Sequence, residues 1–387
     1  LDEVLQWYPN CHDIYLFDNN DITDLTSMYD TNNMNTMKQV YNVYFMDGNF
    51  NNLTTFNRSF RHLDYLRKVE NLPNSITYMN YGFEYAGCES TGLTITNLPS
   101  NVTQLSYAFS GSSLLECPEI PSNYAGGLQG TFSSTKITTA PVLPDGVTHL
   151  SSTFYNCLNL TTVNNIPSAC HDYNGTFWGC TKLTSVPEEG WNGNMQSTFQ
   201  DCKLLNQKII IKSATALSYT FRECSSLSIT PTLPKVIHSD NGNMTSCFFR
   251  CSSLTIPPNT PEGIIHIGDC YSRCTSLTEA PKLPVGIINI NGVINSCDKI
   301  SSITLPLSSL GNYNYPLSGC TQLTDITWVG KIAKDFDLNV LGAPSYTQAD
   351  IQELVPEHLE DLYKDKIKIS FGNNKITVNN TETTITT

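Results

Sequence analysis

The eight residues Thr153-Phe154-Tyr155-Asn156-Cys157-Leu158-Asn159-Leu160 return seven times further along the chain. The later copies are TFWGCTKL (176–183), TFQDCKLL (198–205), TFRECSSL (220–227), CFFRCSSL (247–254), CYSRCTSL (270–277), VINSCDKI (293–300) and PLSGCTQL (316–323). Taking the large second residue as a landmark gives Phe154, Phe177, Phe199, Phe221, Phe248, Tyr271, Ile294 and Leu317, in steps of 23, 22, 22, 27, 23, 23 and 23. Three positions on, every copy has a cysteine: Cys157, Cys180, Cys202, Cys224, Cys251, Cys274, Cys297 and Cys320. Six positions on, every copy has Leu or Ile. A fixed period of this length means stacked coils, each unable to bury its apolar edge alone. Landmark, cysteine and Leu/Ile are therefore expected to form three inward ladders.

Working upstream, weaker copies fall at Phe132, Phe109 and Tyr85 (with Cys88), and Phe60 is a further candidate. Between landmarks an apolar residue precedes proline, as in Leu98-Pro99, Leu143-Pro144 and Leu283-Pro284. Proline fixes φ and has no N–H, so it turns the chain and ends a strand. The alternating, β-branched stretch VTHLSSTF (147–154) reads as a second short strand. One unit is thus expected to be strand, proline corner, strand and a tight turn around the cysteine.

The F-x-x-C-x-x-L core with its APKLP-type link (Ala280 to Pro284) resembles the BspA-like leucine-rich repeats of bacterial surface proteins and related phage-encoded proteins. The resemblance implies a mainly β fold, a right-handed leucine-rich-repeat-type solenoid of 22–23-residue coils over residues 71–330. It specifies no ligand. Residues 1–70, rich in Asn and Asp, depart from the pattern and read as an N-terminal cap of degenerate coils, or else as a separate binding domain. Residues 331–387 read as a small C-terminal α/β cap or the start of a further domain. A helix is expected to open at Thr347, and a hairpin to join 366–372 to 375–379 around Asn373-Asn374. The 27-residue step implies that 238–243 leave the coil as a loop, either an insertion or a binding element.

Two outward columns carry the candidate binding residues. One step before the cysteine stand Gly179, Asp201, Glu223, Arg250 and Arg273. Glu223 with Arg250 is a candidate surface ion pair; alternatively the arginines grip a carboxylate. One step after the landmark stand Tyr155, Trp178, Gln200, Arg222 and Phe249, either exposed or half-buried in turn packing. Aromatics beside arginines are the composition of an interface hot spot. Tyr155, Trp178, Arg222, Phe249, Arg250 and Arg273 are accordingly the candidate binding strip.

Fourteen cysteines raise the question of a disulfide scaffold, but in-register neighbours on parallel coils fit disulfide geometry poorly. Free, buried thiols acting as small hydrophobes are expected. Cys247 and Cys270 form C-x-x-x-C pairs with Cys251 and Cys274, a conceivable zinc set. They also occupy the position of Thr153, Thr176, Thr198 and Thr220, which explains them without metal. No metal and no cofactor are expected. The seven histidines make no H-x-x-x-H pattern, and no column of carboxylates exceeds Asp201 and Glu223, so catalysis has no candidate residues.

Lys plus Arg number 22 against 35 Asp plus Glu, a net charge of −13, which argues against nucleic acid and anionic lipid as partners. No segment approaches the roughly 18 apolar residues of a membrane span. The chain opens at Leu1 without a basic or apolar leader, as expected if a leader was removed or if this is a piece of a longer protein. The expected function is non-catalytic attachment to a protein or glycan at a cell surface. The alternative is a phage virion component such as a tail or fibre accessory protein. A carbohydrate-active β-solenoid enzyme is the third option. The expected location is extracellular or cell surface, or the virion for the alternative.

Overall fold

The computed structural model describes residues 11–17, 22–25, 40–46, 50–237, 242–284, 286–306, 316–329, 367–370, 375–378 and 381–384. They fall into two compact units, Leu1–Gly190 and Trp191–Thr387. No helix is present among the described residues, and none is long and apolar enough to cross a membrane.

The first unit begins with four short strands, β1 (Asp13–Leu16), β2 (Asn42–Phe45), β3 (Lys68–Glu70) and β4 (Thr94–Ile95). They pair in sequence order and all in parallel, so the chain comes round to the same direction each time. Their register aligns Ile14, Val43, Val69 and Ile95 in one buried row of β-branched side chains. Past β4 the pairing thins to single bridges such as Thr139 to Thr162 and Thr162 to Ser185. The corners are turns closed on proline: the carbonyls of Pro73, Pro99, Pro121, Pro144 and Pro167 each accept the N–H three residues later, at 2.9–3.2 Å.

The core of this unit is a column of phenylalanines. Phe83, Phe109, Phe132, Phe154 and Phe177 are fully buried, and successive rings stack with centroids 5.4–5.7 Å apart and planes within 10°. That spacing slightly exceeds the ~4.8 Å between parallel strands, so the rings overlap with an offset, the arrangement their quadrupoles favour. Phe83 corrects the upstream register, which had Tyr85 as landmark and Cys88 in the cysteine column. Tyr85 is 41% exposed and Cys88 is exposed, whereas Phe83 enters the stack. Three residues after Phe83 the inward position is filled by Ala86.

The leg around each landmark is not the second strand expected at 147–154. Leu150, Ser152, Phe154 and Asn156 donate their N–H groups to the carbonyls of Asp172, Asn174, Thr176 and Trp178 on the next coil, at 2.7–2.9 Å. The residues between them, Thr153, Tyr155 and Cys157, bond back three positions within their own coil. Ser152 and Asn156 sit at φ of 54° and 55°. A left-handed residue on each side of the landmark destroys the pleat, so coil-to-coil bonding continues through turns instead of extended chain.

The second unit repeats this arrangement. Phe199, Phe221, Phe248 and Tyr271 stack at 5.3–5.4 Å, and Trp191 closes edge-on against Phe199 at 5.0 Å. Tyr219 and Phe221 donate to Thr245 and Cys247, so the coil-to-coil bonding runs across the long step. Within 238–243, positions 238–241 lie outside the described residues. Further on, β5 (Ser302–Pro306) pairs in parallel with β6 (Asp325–Val329), which pairs antiparallel with β7 (Ile367–Ser370). Strand β8 (Lys375–Val378) pairs with β9 (Thr381–Thr384). The hairpin expected between 366–372 and 375–379 therefore differs: β7 takes β6 as partner and β8 takes β9. A strand edge left open by β6 offers β7 a full ladder of hydrogen bonds, which outweighs the local turn signal. The helix expected from Thr347 lies outside the described residues.

Candidate functional site

The cysteine column is structural. Every cysteine is a free thiol, and those from Cys157 to Cys320 at the repeat position are buried. In the first unit Cys157 and Cys180 point their Sγ at the carbonyls of Phe132 and Phe154, each at 3.0 Å. In the second, Cys224, Cys251, Cys274, Cys297 and Cys320 do the same to Phe199, Phe221, Phe248, Tyr271 and Ile294, again at 3.0 Å. Each thiol thus donates weakly to the landmark carbonyl of the preceding coil while filling a small apolar site. Burial pushes the Cys157 thiol up to about 11 and Cys274 to about 12, so neither forms a reactive thiolate near neutrality. The neighbouring threonine column works likewise: Thr153 and Thr176 donate to the carbonyls of Leu128 and Leu150, at 2.7 and 2.8 Å. Cys247 and Cys270 are buried in that column. Among the described residues no group of three or more His, Cys, Asp or Glu side chains is arranged to hold a metal ion.

The candidate strip divides between the units. In the first, Tyr155 is half-buried and Trp178 is 37% exposed; their rings meet edge to face at 5.2 Å. In the second, four side chains form one cluster. The Arg222 guanidinium lies 4.2 Å and that of Arg250 5.2 Å from the centre of the Phe249 ring. Glu223 joins them through Oε1, 3.3 Å from Arg250 Nη1 and 3.8 Å from Arg222 Nη2. Phe249 is half-buried and the Arg250 side chain is 46% exposed. The two guanidiniums share the Glu223 carboxylate, and Asp269 adds a second acidic group close enough to Arg222 to interact with it. Arg273 is exposed and has no side-chain hydrogen bond or ion pair among the described residues. Glu223, Arg250 and Arg273 have φ of 59–63°, the left-handed value that Gly179 and Gly319 adopt at the equivalent position.

Sequence reading missed a polar groove in the first unit. Its floor is the column five residues before each landmark: Gln104, Gly127, His149 and Asp172. Ser106, Gln129 and Ser151, three before the landmark, also line this open groove, whose volume is about 610 Å³. The signal in the sequence is a column of polar residues, five positions before the landmark, broken by one glycine.

Coils stacked on aromatic and thiol ladders, with a buried threonine column bonded to the preceding coil and the charged candidate residues in outward columns, define a repeat protein of the leucine-rich-repeat class. Residues 38–161, 131–228, 151–260 and 242–335 match the BspA type leucine rich repeat region, with six copies. These stretches take in well over half of the chain, which belongs to the BspA-type leucine-rich-repeat family. Among solved structures, a leucine-rich repeat protein from Bacteroides ovatus ATCC 8483 is 19% identical over 74% of this chain and 82% of its own, with a TM-score of 0.41. A leucine rich cell surface protein from Faecalibacterium prausnitzii A2-165 is 17% identical over 85% and 92%, with a TM-score of 0.41. A leucine-rich repeat protein from Eubacterium ventriosum ATCC 27560 is 12% identical over 87% and 90%, with a TM-score of 0.42. No curated protein matches the chain.

Proposed function

We propose that this chain is a non-catalytic interaction module of a surface protein, and that it binds a protein partner through the Arg222–Phe249–Arg250 cluster. The observation that carries the reading is a half-buried ring with two guanidiniums within 5.2 Å of its centre, both of them within 3.8 Å of the same Glu223 oxygen. Arginine and aromatic side chains on a rigid scaffold are the commonest hot-spot residues, and a partner carboxylate can pair with the half-exposed Arg250 guanidinium. Membership of the BspA-type family supports a surface location, as does the cell-surface designation of the similar protein from Faecalibacterium prausnitzii. The test is binding of the purified chain to an arrayed set of extracellular proteins, followed by interferometry on the variants. Phe249→Ala and Arg250→Ala should each weaken a captured partner by about tenfold or more, as hot-spot truncations do. Partners held with unchanged affinity by both variants would refute the assignment.

A further inference from the structure

The groove of the first unit has the chemistry of a second, separate site. Its lining bears amide, hydroxyl, imidazole and carboxylate groups and no lysine or arginine. Asp172 repels anions, so phosphate, sulfate and acidic sugars are poor ligands. No large apolar side chain lines it, so neither a lipid nor an apolar peptide is favoured. Asp172 already accepts from Ser151 Oγ and from the Asn174 N–H, so the lining suits a ligand that donates and accepts hydrogen bonds along its length without needing a charge.

The polar groups are held before any ligand arrives. Asn80 Nδ2 donates to Gln104 Oε1 at 2.6 Å, and Gln129 Nε2 donates to Tyr107 Oη at 3.3 Å. Those bonds leave the Gln104 amide nitrogen and the Gln129 amide oxygen without side-chain partners among the described residues. One is a donor and the other an acceptor, a match for hydroxyl groups, which are both. Ser151 Oγ donates to Asp172 Oδ2 at 2.6 Å, and Thr148 Oγ1 is bonded to His149 Nδ1 at 2.8 Å. Tyr107 is fixed in turn by stacking on Tyr81, with centroids 5.2 Å apart and planes 4° apart. Ordering these side chains in advance removes an entropy cost that binding would otherwise carry.

Gly127 is the second observation. It stands in the column of Gln104, His149 and Asp172, and its φ is not left-handed, so the backbone there does not require glycine. A Cβ at Gly127 would meet His149 alone, at ordinary contact distance: its Cβ at 3.4 Å and its Nδ1 and carbonyl oxygen at 3.9 Å. The missing side chain makes a notch, flanked by polar groups one coil away on either side. Four coils at the parallel-strand spacing give the floor a length of roughly 14 Å.

We propose that this groove binds a neutral oligosaccharide laid across successive coils, with one sugar ring seated in the Gly127 notch and its hydroxyls bonded to Gln104, Gln129 and Asp172. The site lies in the first unit and does not depend on the protein-binding patch of the second. Saturation-transfer NMR and calorimetry with cellohexaose, maltohexaose and hexa-N-acetylchitohexaose test it on the full chain, with a sulfated heparin hexasaccharide as the acidic comparison. At least one neutral hexasaccharide should bind. Gly127→Gln, which fills the notch, should weaken it by about tenfold, the equivalent of one to two lost hydrogen bonds. Gln129→Ala, which truncates an exposed side chain, should weaken it severalfold with an unchanged melting temperature, so the test survives if Gly127→Gln fails to fold. The proposal is overturned if no neutral hexasaccharide binds, if binding is indifferent to Gln129→Ala, or if the sulfated sugar binds more tightly than every neutral one.

Discussion

Removing one ring from the aromatic column of the second unit should destabilise it by an amount that reports the stacking. Phe221 is fully buried, with Phe199 5.4 Å on one side at 15° and Phe248 5.3 Å on the other at 10°. Its backbone bonds are independent of the ring: the N–H donates to Cys247 O, and the carbonyl accepts from Cys224 N and Cys251 Sγ. Phe221→Ala therefore leaves the coil-to-coil bonding in place and creates a cavity. A buried Phe→Ala change costs about 3–5 kcal/mol. Two lost ring pairs, worth ~0.5–1.5 kcal/mol each, place this one toward the upper end. Phe221→Leu keeps most of the apolar volume and loses only the stacking and part of the fit, so it should cost about 1.5–2 kcal/mol. Because each coil is supported by its neighbours, the loss should be concentrated locally. Native-state hydrogen exchange read by mass spectrometry is the assay, on peptides holding the N–H groups of Tyr219, Phe221 and Glu223. Their protection should fall in Phe221→Ala by about 3–5 kcal/mol and less in Phe221→Leu. Alanine costing under ~2 kcal/mol, or no more than leucine, would refute the stacked column.

Ser152, at φ 54°, lies between Gly130 and Gly175 in the same column, both at 60°. Ser152→Gly should raise stability by about 1 kcal/mol in guanidinium titration, since glycine carries no Cβ penalty there. Thiol burial sets an alkaline limit. The Cys157 thiol moves from 9.0 to about 11, so the unfolded chain loses that proton first. Stability is full below pH 9 and falls by about 1.4 kcal/mol per pH unit for this thiol as pH rises toward 11. Cys157→Ala should lower the slope of unfolding stability against pH over that window by this one thiol's share, the other buried thiols keeping theirs. Partial burial and the Asp64 hydrogen bond push the exposed Cys88 thiol up to about 11, so iodoacetamide should label it in the native chain only at alkaline pH, and the buried column only after denaturation, as peptide mapping would record. A double-mutant cycle on Glu223 and Arg250 should give a coupling of no more than about 1 kcal/mol in stability, the range of partly exposed ion pairs.

The repeat was legible because identical burial demands identical residues. The landmark, cysteine and Leu/Ile positions are interior, and interiors tolerate few side-chain shapes. Register was lost where that demand weakens. At Tyr85 and Cys88 the motif spacing matched by accident, and only the stacking of Phe83 on Phe109 corrects it. The stretch 147–154 looks like a strand because Val147, Thr148 and Thr153 are β-branched, yet the left-handed Ser152 and Asn156 turn it into a run of turns. Serine announces no positive φ and asparagine only hints at one; glycine at the equivalent position in other coils was the stronger clue. The Glu223–Arg250 pair was visible because both lie in one column beside the landmark, and Phe249 joined them for the same reason. The groove escaped because its chemistry is spread over two columns, and because Gly127 contributes by what it lacks.

The account stands or falls on like residues meeting like along each unit, and sulfur makes that directly measurable. Anomalous diffraction recorded at long wavelength from native crystals locates sulfur atoms without phases from any search structure. The Cys202, Cys224, Cys251, Cys274, Cys297 and Cys320 sulfurs should appear as one row in the second unit, spaced about 5 Å apart in chain order. Sulfurs scattered without a common row, or joined in pairs at the ~2.05 Å of a disulfide, would contradict it.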